Sequence, residues 1–185
     1  MSRQSTKDKF IESLVKYGFT AKAMRDTSID LGLDPEYHKI LFPDGVAEVS
    51  SIYEQMLDGK MLEILAKIPR PERVRERVAF ALKVRIIKLG TTTPPKCTSQ
   101  SIWRTSDAIW RYTGDTSTDF NHYTKRGLLS AVYVASRRYY ARDTSEKFVN
   151  TEKFISKSID RVLKVASLKH KLPKMEDIPI LRLFS

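Results

Sequence analysis

The sequence predicts an all-α chain, and three observations carry that prediction. Apolar residues recur with the helical period in nearly every segment, and no segment alternates like a strand for long. Capping residues and Gly or Pro breakers fall at helix-length intervals. Hydrophobic residues make up 41% of 185, with seven Gly and eight Pro, so a folded core is expected rather than a disordered chain. That length fits one domain large enough to bury such a core.

Ser5 or Thr6 caps a first helix whose stripe is Phe10, Leu14 and Tyr17, with Ile11 and Val15 beside it, and Gly18 breaks it. Thr20 starts a second helix running through Met24 to Ile29, which Gly32 ends. A short third helix has Pro35 in its first turn and stops at Pro43 after Phe42. Asp44 then caps a longer stretch carrying Val46, Val49, Ile52, Tyr53, Met56 and Leu57, with a bend allowed at Gly59 before Met61, Leu62 and Leu65. Pro69 and Pro71 separate it from a helix over 71–89, where Val74, Val78, Ala81, Leu82 and Arg85 share a face and arginines crowd the rest. The run 91–95, Thr-Thr-Thr-Pro-Pro, is a loop. Helices are expected over 99–112, 118–142 and 151–170, and Pro173 ends the last. Eight or nine helices result.

The net charge of +11 is unevenly placed. Residues 1–59 hold seven Lys/Arg against ten Asp/Glu, whereas residues 60–90 hold nine against three. Residues 147–185 hold nine against four. A basic middle and tail suit nucleic acid or anionic lipid equally, or form a solvated surface. The longest nearly apolar run, 127–136, is about half of what a bilayer span needs. No apolar core follows the first residues, and acidic Asp8 and Glu12 come early, which argues against a signal or transit peptide and for a cytoplasmic chain. Cys97 is the only cysteine, so no internal disulfide or thiolate cluster forms, and it reads as an inert thiol.

The first three helices fit loosely the helix-turn-helix of TetR repressors, with Leu31-Gly32-Leu33 as the turn. A DNA-reading helix needs donors and positive charge at its start. Here that start is Asp34-Pro35-Glu36, with Asp30 before and Asp44 after, and only His38 and Lys39 to help. The acidic surroundings argue against DNA as a partner and for a retained scaffold.

The least generic stretch is Trp110-Arg-Tyr-Thr-Gly-Asp-Thr-Ser-Thr-Asp-Phe-Asn-His-Tyr-Thr-Lys-Arg126. Gly114 suits a left-handed helix end, Ser117 or Thr118 suits the next N-cap, and Asp119 complements the dipole of the new helix. Capping does not explain why Trp110, Tyr112, Phe120 and Tyr123 gather at one turn. Aromatics so placed pack into a core, wall a pocket or present a binding patch.

In Gly114-Asp-Thr-Ser-Thr-Asp-Phe-Asn121, followed by His122-Tyr-Thr-Lys-Arg126, the sequence resembles the TetR-like lipid-binding accessory family of ubiquinone synthesis, the ninth in the coenzyme Q numbering. The resemblance extends over about 106–145, ending in Arg142-Asp-Thr-Ser145, with weaker agreement in Tyr17-Gly-Phe-Thr20 and Leu31-Gly-Leu33. It implies a TetR-like fold, with a trihelix over 1–58, a helical lipid-binding and dimerisation bundle over 59–172, and an irregular tail over 173–185. It implies a homodimer that holds an isoprenoid quinone precursor or phospholipid and presents it to a membrane-associated hydroxylase, without catalysis of its own. The docking patch it implies falls on Asp107, Ile109, Trp110, His122, Tyr123 and Arg126. His122 departs from the family pattern, where many members carry Trp, a strong interface anchor. Pro173 and Pro179 also break the amphipathic terminal helix that some members have.

A carrier of this kind needs an apolar tunnel between helices, with Phe80, Leu82, Leu128, Val132 and Tyr133 as candidate linings and ordinary core as the alternative for each. The arginine-rich stretch 71–89 and the basic tail are candidates for contact with an anionic membrane surface, making the chain peripherally membrane-associated. Leu181, Leu183 and Phe184 suit shallow insertion or packing against the body. Asp119 and His122 lie three apart but make only half a metal site, and His38 and His170 are isolated. Ser130 lacks nucleophile context and no Gly-rich phosphate loop is present, so no cofactor, metal or catalytic residue is expected. The alternative function is a TetR-type transcriptional regulator sensing a lipid.

Overall fold

The structure, a computed structural model, describes residues 3–90, 98–118 and 120–169. Cys97, the loop 91–95, Asp119, His170 and the tail with its prolines and apolar residues lie outside the described residues, as do the side chains of Phe120 and Val165. All regular structure among the described residues is helical: α1 Arg3–Leu14, α2 Ala21–Asp30, α3 Tyr37–Leu41, α4 Val46–Ala66, α5 Val74–Lys83, α6 Ser99–Thr113, α7 Phe120–Tyr140 and α8 Val149–Lys169. A π turn, Val84–Lys88, extends α5, and a 3₁₀ turn, Glu146–Phe148, precedes α8.

Several punctuation marks act as expected. The Thr20 hydroxyl accepts from the Ala23 N–H (3.1 Å) and opens α2. Gly32, at φ 70°, closes it: its N–H donates to the Ile29 carbonyl and Leu33 N–H donates to Ser28, the paired bonds of a Schellman end. Other marks act differently. Helix α1 stops at Leu14, so Tyr17 leaves the expected stripe; it is 51% exposed and donates to Asp30. Gly45, not Asp44, occupies the cap position of α4, and the Asp44 N–H donates to the Glu48 carboxylate (3.3 Å). Helix α3 is shorter than expected because the Asp34 side chain accepts from Glu36 N–H (2.8 Å) and holds the entry in a turn.

Two apolar clusters result. Phe10, Ile11, Leu14, Phe19, Met24, Leu41, Phe42 and Val49 form the N-terminal one. Met61, Leu65, Val78, Ala81, Leu82, Ile86, Ile109, Val132, Tyr133 and Ile155 belong to the other. Helix α4 contributes to both and runs unbroken through Gly59, so the expected division at 58 falls inside a helix. In the second cluster α6 packs on α7, α7 on α8, and α5 on both α6 and α8.

Candidate functional site

The turn between α6 and α7 is built from the backbone outward. Thr98 opens α6 by accepting from Ser101 N–H (3.1 Å). Gly114, at φ 88°, closes it: its N–H donates to Arg111 and the Asp115 N–H donates to the Trp110 carbonyl. A Cβ on Gly114 would lie 3.2 Å from the Arg70 guanidinium, which itself donates to the Tyr112 carbonyl. Glycine therefore satisfies both the left-handed backbone and the close approach.

Asp115 is the hub of the turn. Its carboxylate accepts from Lys125 Nζ (2.6 Å), the Ser117 hydroxyl (2.8 Å) and the Arg126 guanidinium (3.0 Å). Burial pushes this carboxyl up, but the hydrogen bonds from Lys125, Ser117 and Arg126 and the Lys125 charge outweigh it, leaving Asp115 at about 2. Ser117 is thus tied to Asp115 and Lys125 (2.8 Å). Arg126, 2% exposed, also donates to Asp107 (2.6 Å) and to the His122 carbonyl (3.2 Å). Asp107 in turn accepts from Arg111 (2.7 Å).

Aromatic rings are mounted on this frame. The Trp110 indole N–H donates to the Lys125 carbonyl (3.0 Å), and Lys125 Nζ lies 5.6 Å from the Trp110 ring centre. His122 Nδ1 bonds the Ser117 carbonyl (2.9 Å), and its ring meets Tyr123 edge-on at 5.2 Å. Tyr123 is 63% exposed and sits 6.2 Å from Trp103, also exposed. Arg111, Asp115, Thr116, Ser117, His122 and Tyr123 line an open groove of about 480 Å³ here.

The six expected docking residues therefore separate by depth. Tyr123 is exposed, Trp110, His122 and Asp107 are half-buried, and Arg126 and Ile109 are buried. Ile109 is wholly within the second apolar cluster, where the α6 face that meets α5 and α7 places it, so its side chain offers no outward contact. Arg126 is a strut beneath the patch. Trp103 stands beside Tyr123, and no local pattern in the sequence marks it, because the contact joins residues 20 positions apart.

The five expected lipid-lining residues do not share one cavity among the grooves described. Leu82, Val132 and Tyr133 are packed core, and Leu128 is half-buried. Phe80 lines a groove of about 320 Å³ between α5 and α8, with Ala79, Lys83 and Ile159. The helical face shared by Leu82 and Arg85 instead carries a buried ion network. Arg85 pairs with Glu54 and, at 2.9 Å, with Asp58; Arg137 pairs with Glu54 at 3.0 Å. Thr105 donates to Asp58 (2.9 Å), and Arg104 joins it from a half-exposed rim at 3.3 Å. The Tyr133 ring lies between the Arg85 and Arg137 guanidinium groups, and burial pushes its phenol up to about 12.

The arginine-rich segment is largely spoken for inside the fold. Arg75 pairs with Asp160 (2.8 Å), and Arg77 donates to the carbonyls of Pro71, Glu72 and Thr113. His38 is buried and bonds the Pro35 carbonyl (2.9 Å), while Lys39 pairs with Glu36 (2.6 Å). Ser130 bonds Ser106 (2.9 Å). No group of three His, Cys, Asp or Glu side chains converges among the described residues, and none of their helices is long and apolar enough to cross a membrane.

Comparison with known proteins agrees with the signature. Residues 96–166, which contain α6, α7 and most of α8, match the COQ9 family model. The chain is 28% identical to a probable ubiquinone biosynthesis protein coq9, mitochondrial, of Dictyostelium discoideum, over 94% of this chain and 65% of that protein. It is 24% identical to the mitochondrial ubiquinone biosynthesis protein COQ9 of Rattus norvegicus, over 81% of this chain and 55% of that one. The human counterpart is 39% identical over 54 residues, 29% of this chain and 17% of that protein. The chain thus spans between about half and two thirds of the length of the relatives that it matches along most of its own.

Proposed function

We propose that this chain is a non-catalytic accessory protein of ubiquinone biosynthesis, which binds an isoprenoid quinone precursor and presents it to a membrane-associated hydroxylase. The observation that carries the reading is the exposed Trp103–Tyr123 pair, formed between α6 and α7, beside a turn held by the Asp107–Arg126–Asp115–Lys125 ion chain and within the stretch that matches the family model. An anchor of two aromatics on a stiff, charge-braced support is what a docking surface needs, because little side-chain freedom is lost on binding. His122, held to the Ser117 carbonyl, supplies a smaller and more polar neighbour to Tyr123 than a Trp would. The partner is therefore one whose surface accepts a Tyr anchor beside a polar group.

The lipid enters as a peripheral, membrane-adjacent cargo, and the functional unit is a homodimer that works against an anionic membrane surface. The relatives are named as mitochondrial proteins, and the membrane that houses ubiquinone synthesis in the host is the proposed place of work. The regulator reading has less support, since Lys39 is already neutralised by Glu36 and His38 is buried. Deletion of the gene followed by quinone profiling tests the proposal. Ubiquinone should fall and an unhydroxylated precursor should accumulate, with the wild-type gene restoring the profile and Tyr123→Ala failing to. A normal quinone profile after deletion sinks the assignment.

A further inference from the structure

We propose that the outer face of α7 and its seam with α8 bind one anionic amphiphile, with Arg138 and Arg142 on the phosphate-type head and the α6–α7 groove on the chain. The inference deepens the lipid-binding reading and takes its choice of ligand from it. Two open grooves meet on this face. One, of about 620 Å³, is lined by Ile102, Trp103, Gly127, Ala131 and Val134 and is mainly apolar. The other, of about 560 Å³, is lined by Tyr139, Arg142, Asn150 and Phe154. Ala135 and Arg138 line both, so the two run into each other. Residues 127–138 cover roughly 16 Å of helix, enough for an extended acyl or prenyl segment.

Charge decides the polarity of this track. Arg138, near the end of α7, and Arg142, in the turn just past it, are exposed. Among the described residues neither guanidinium is hydrogen-bonded or ion-paired, whereas the adjacent Arg137 is buried and paired with Glu54. Tyr139 and Phe154 stack at 4.5 Å and 13° beside the arginines, giving a flat apolar wall next to the charge. Asp143 also lines this end, but its carboxylate is directed to the start of α8. It accepts from Ser145 N–H (2.9 Å), Thr151 N–H (2.8 Å) and the Thr151 hydroxyl (2.5 Å). Two open guanidinium groups facing one satisfied carboxylate leave net positive charge at one end of an apolar groove. That arrangement selects an anion with a tail, and guanidinium pairs suit phosphate oxygens in particular.

The test uses the full chain and dihexanoyl phosphatidic acid below its micellar concentration, followed by calorimetry and Trp fluorescence. Saturable binding near one per chain is expected. Dihexanoyl phosphatidylcholine and inorganic phosphate should each bind about tenfold more weakly or worse, since each lacks one half of the recognition. The double variant Arg138→Gln/Arg142→Gln should weaken phosphatidic acid binding by a similar factor, and Ala135→Trp should block the chain where the grooves join. Both alter exposed or half-exposed sites, and circular dichroism melting confirms that they fold. Equal binding of phosphate alone, equal binding of the choline lipid, or an unchanged double variant each overturns the proposal. So does sedimentation showing that a second copy of the chain covers the face and excludes the lipid. The two readings fail separately. A normal quinone profile on deletion, with arginine-dependent amphiphile binding intact, removes the function and keeps the site. Loss of amphiphile binding with an altered quinone profile does the reverse.

Discussion

Two ion networks stand in the same helical bundle and do different work. The inner one, Arg85 and Arg137 with Glu54 and Asp58, is enclosed by α4, α6, α7 and the π turn, and every one of those four side chains is buried. The outer one lies under the α6–α7 turn; its centre, Arg126 and Asp115, is buried, but its ends reach the rim, with Lys125 38% and Asp107 21% exposed. The inner network is a long-range clamp, linking residues 27 to 83 positions apart; the outer one joins residues no more than 19 apart. Depth sets the consequence. A buried charge that loses its partner has no water to turn to, whereas a charge at the rim rehydrates. The inner network therefore governs whether the bundle forms, and the outer one governs how a surface patch is held.

The largest test of that contrast is Arg85→Met. It leaves Glu54 and Asp58 facing an apolar side chain, and a loss of roughly 3–5 kcal/mol is expected from urea unfolding. Adding Asp58→Asn to Arg85→Met should return part of that stability, because it removes a buried charge left with only Thr105 and the rim Arg104. A loss no larger than that of a typical surface substitution would show that the inner network is not a clamp.

The middle test is pH. Asp115 has its folded value lowered from 3.8 to about 2, so the turn draws stability from its ionised form above the unfolded value and loses it as pH falls through that window. The urea midpoint of the wild type should fall between those two pH values. Asp115→Asn should start lower at neutral pH and show a flatter acid limb. Identical acid limbs would mean that the outer network contributes nothing through Asp115.

The smallest effect is expected from Tyr123→Ala. The ring is mostly in solvent, so stability should stay within about 0.5 kcal/mol of wild type. A large destabilisation would make Tyr123 part of the fold and weaken its reading as an anchor. With stability unchanged, any failure in the quinone-profile test is assigned to docking.

Much of the helical order was legible because its signals are local. Thr20, Gly32 and Gly114 act within a few residues of where they sit, through hydrogen bonds that the neighbouring backbone supplies. Apolar periodicity also placed Phe10, Leu14, Val78 and Leu82 inside. The misread positions have equally definite causes. Tyr17 continued a period beyond the end of its helix, and Asp44 lost its cap role to Gly45 and took a bond to Glu48 instead. Ile109 and Arg126 belonged to a motif that marks a region, and only packing separates which members of such a motif face outward.

By itself, then, the sequence determined an all-helical chain, its principal breakpoints and the stretch at 114–126 where aromatic and charged residues concentrate. Those follow from backbone geometry and residue type, which act over one or two helical turns. Tertiary structure decided that Arg85 pairs with Glu54 and Asp58 in the core, that Leu82 and Tyr133 are buried beside them, and that Trp103 stands next to Tyr123. It also left Arg138 and Arg142 open while burying Arg137. Arg137 and Arg138 on α7, and Arg142 just past its end, look alike in sequence. Helix packing gives Arg137 a carboxylate in a dry interior and turns its neighbour Arg138 to a groove, because consecutive helical positions point about 100° apart.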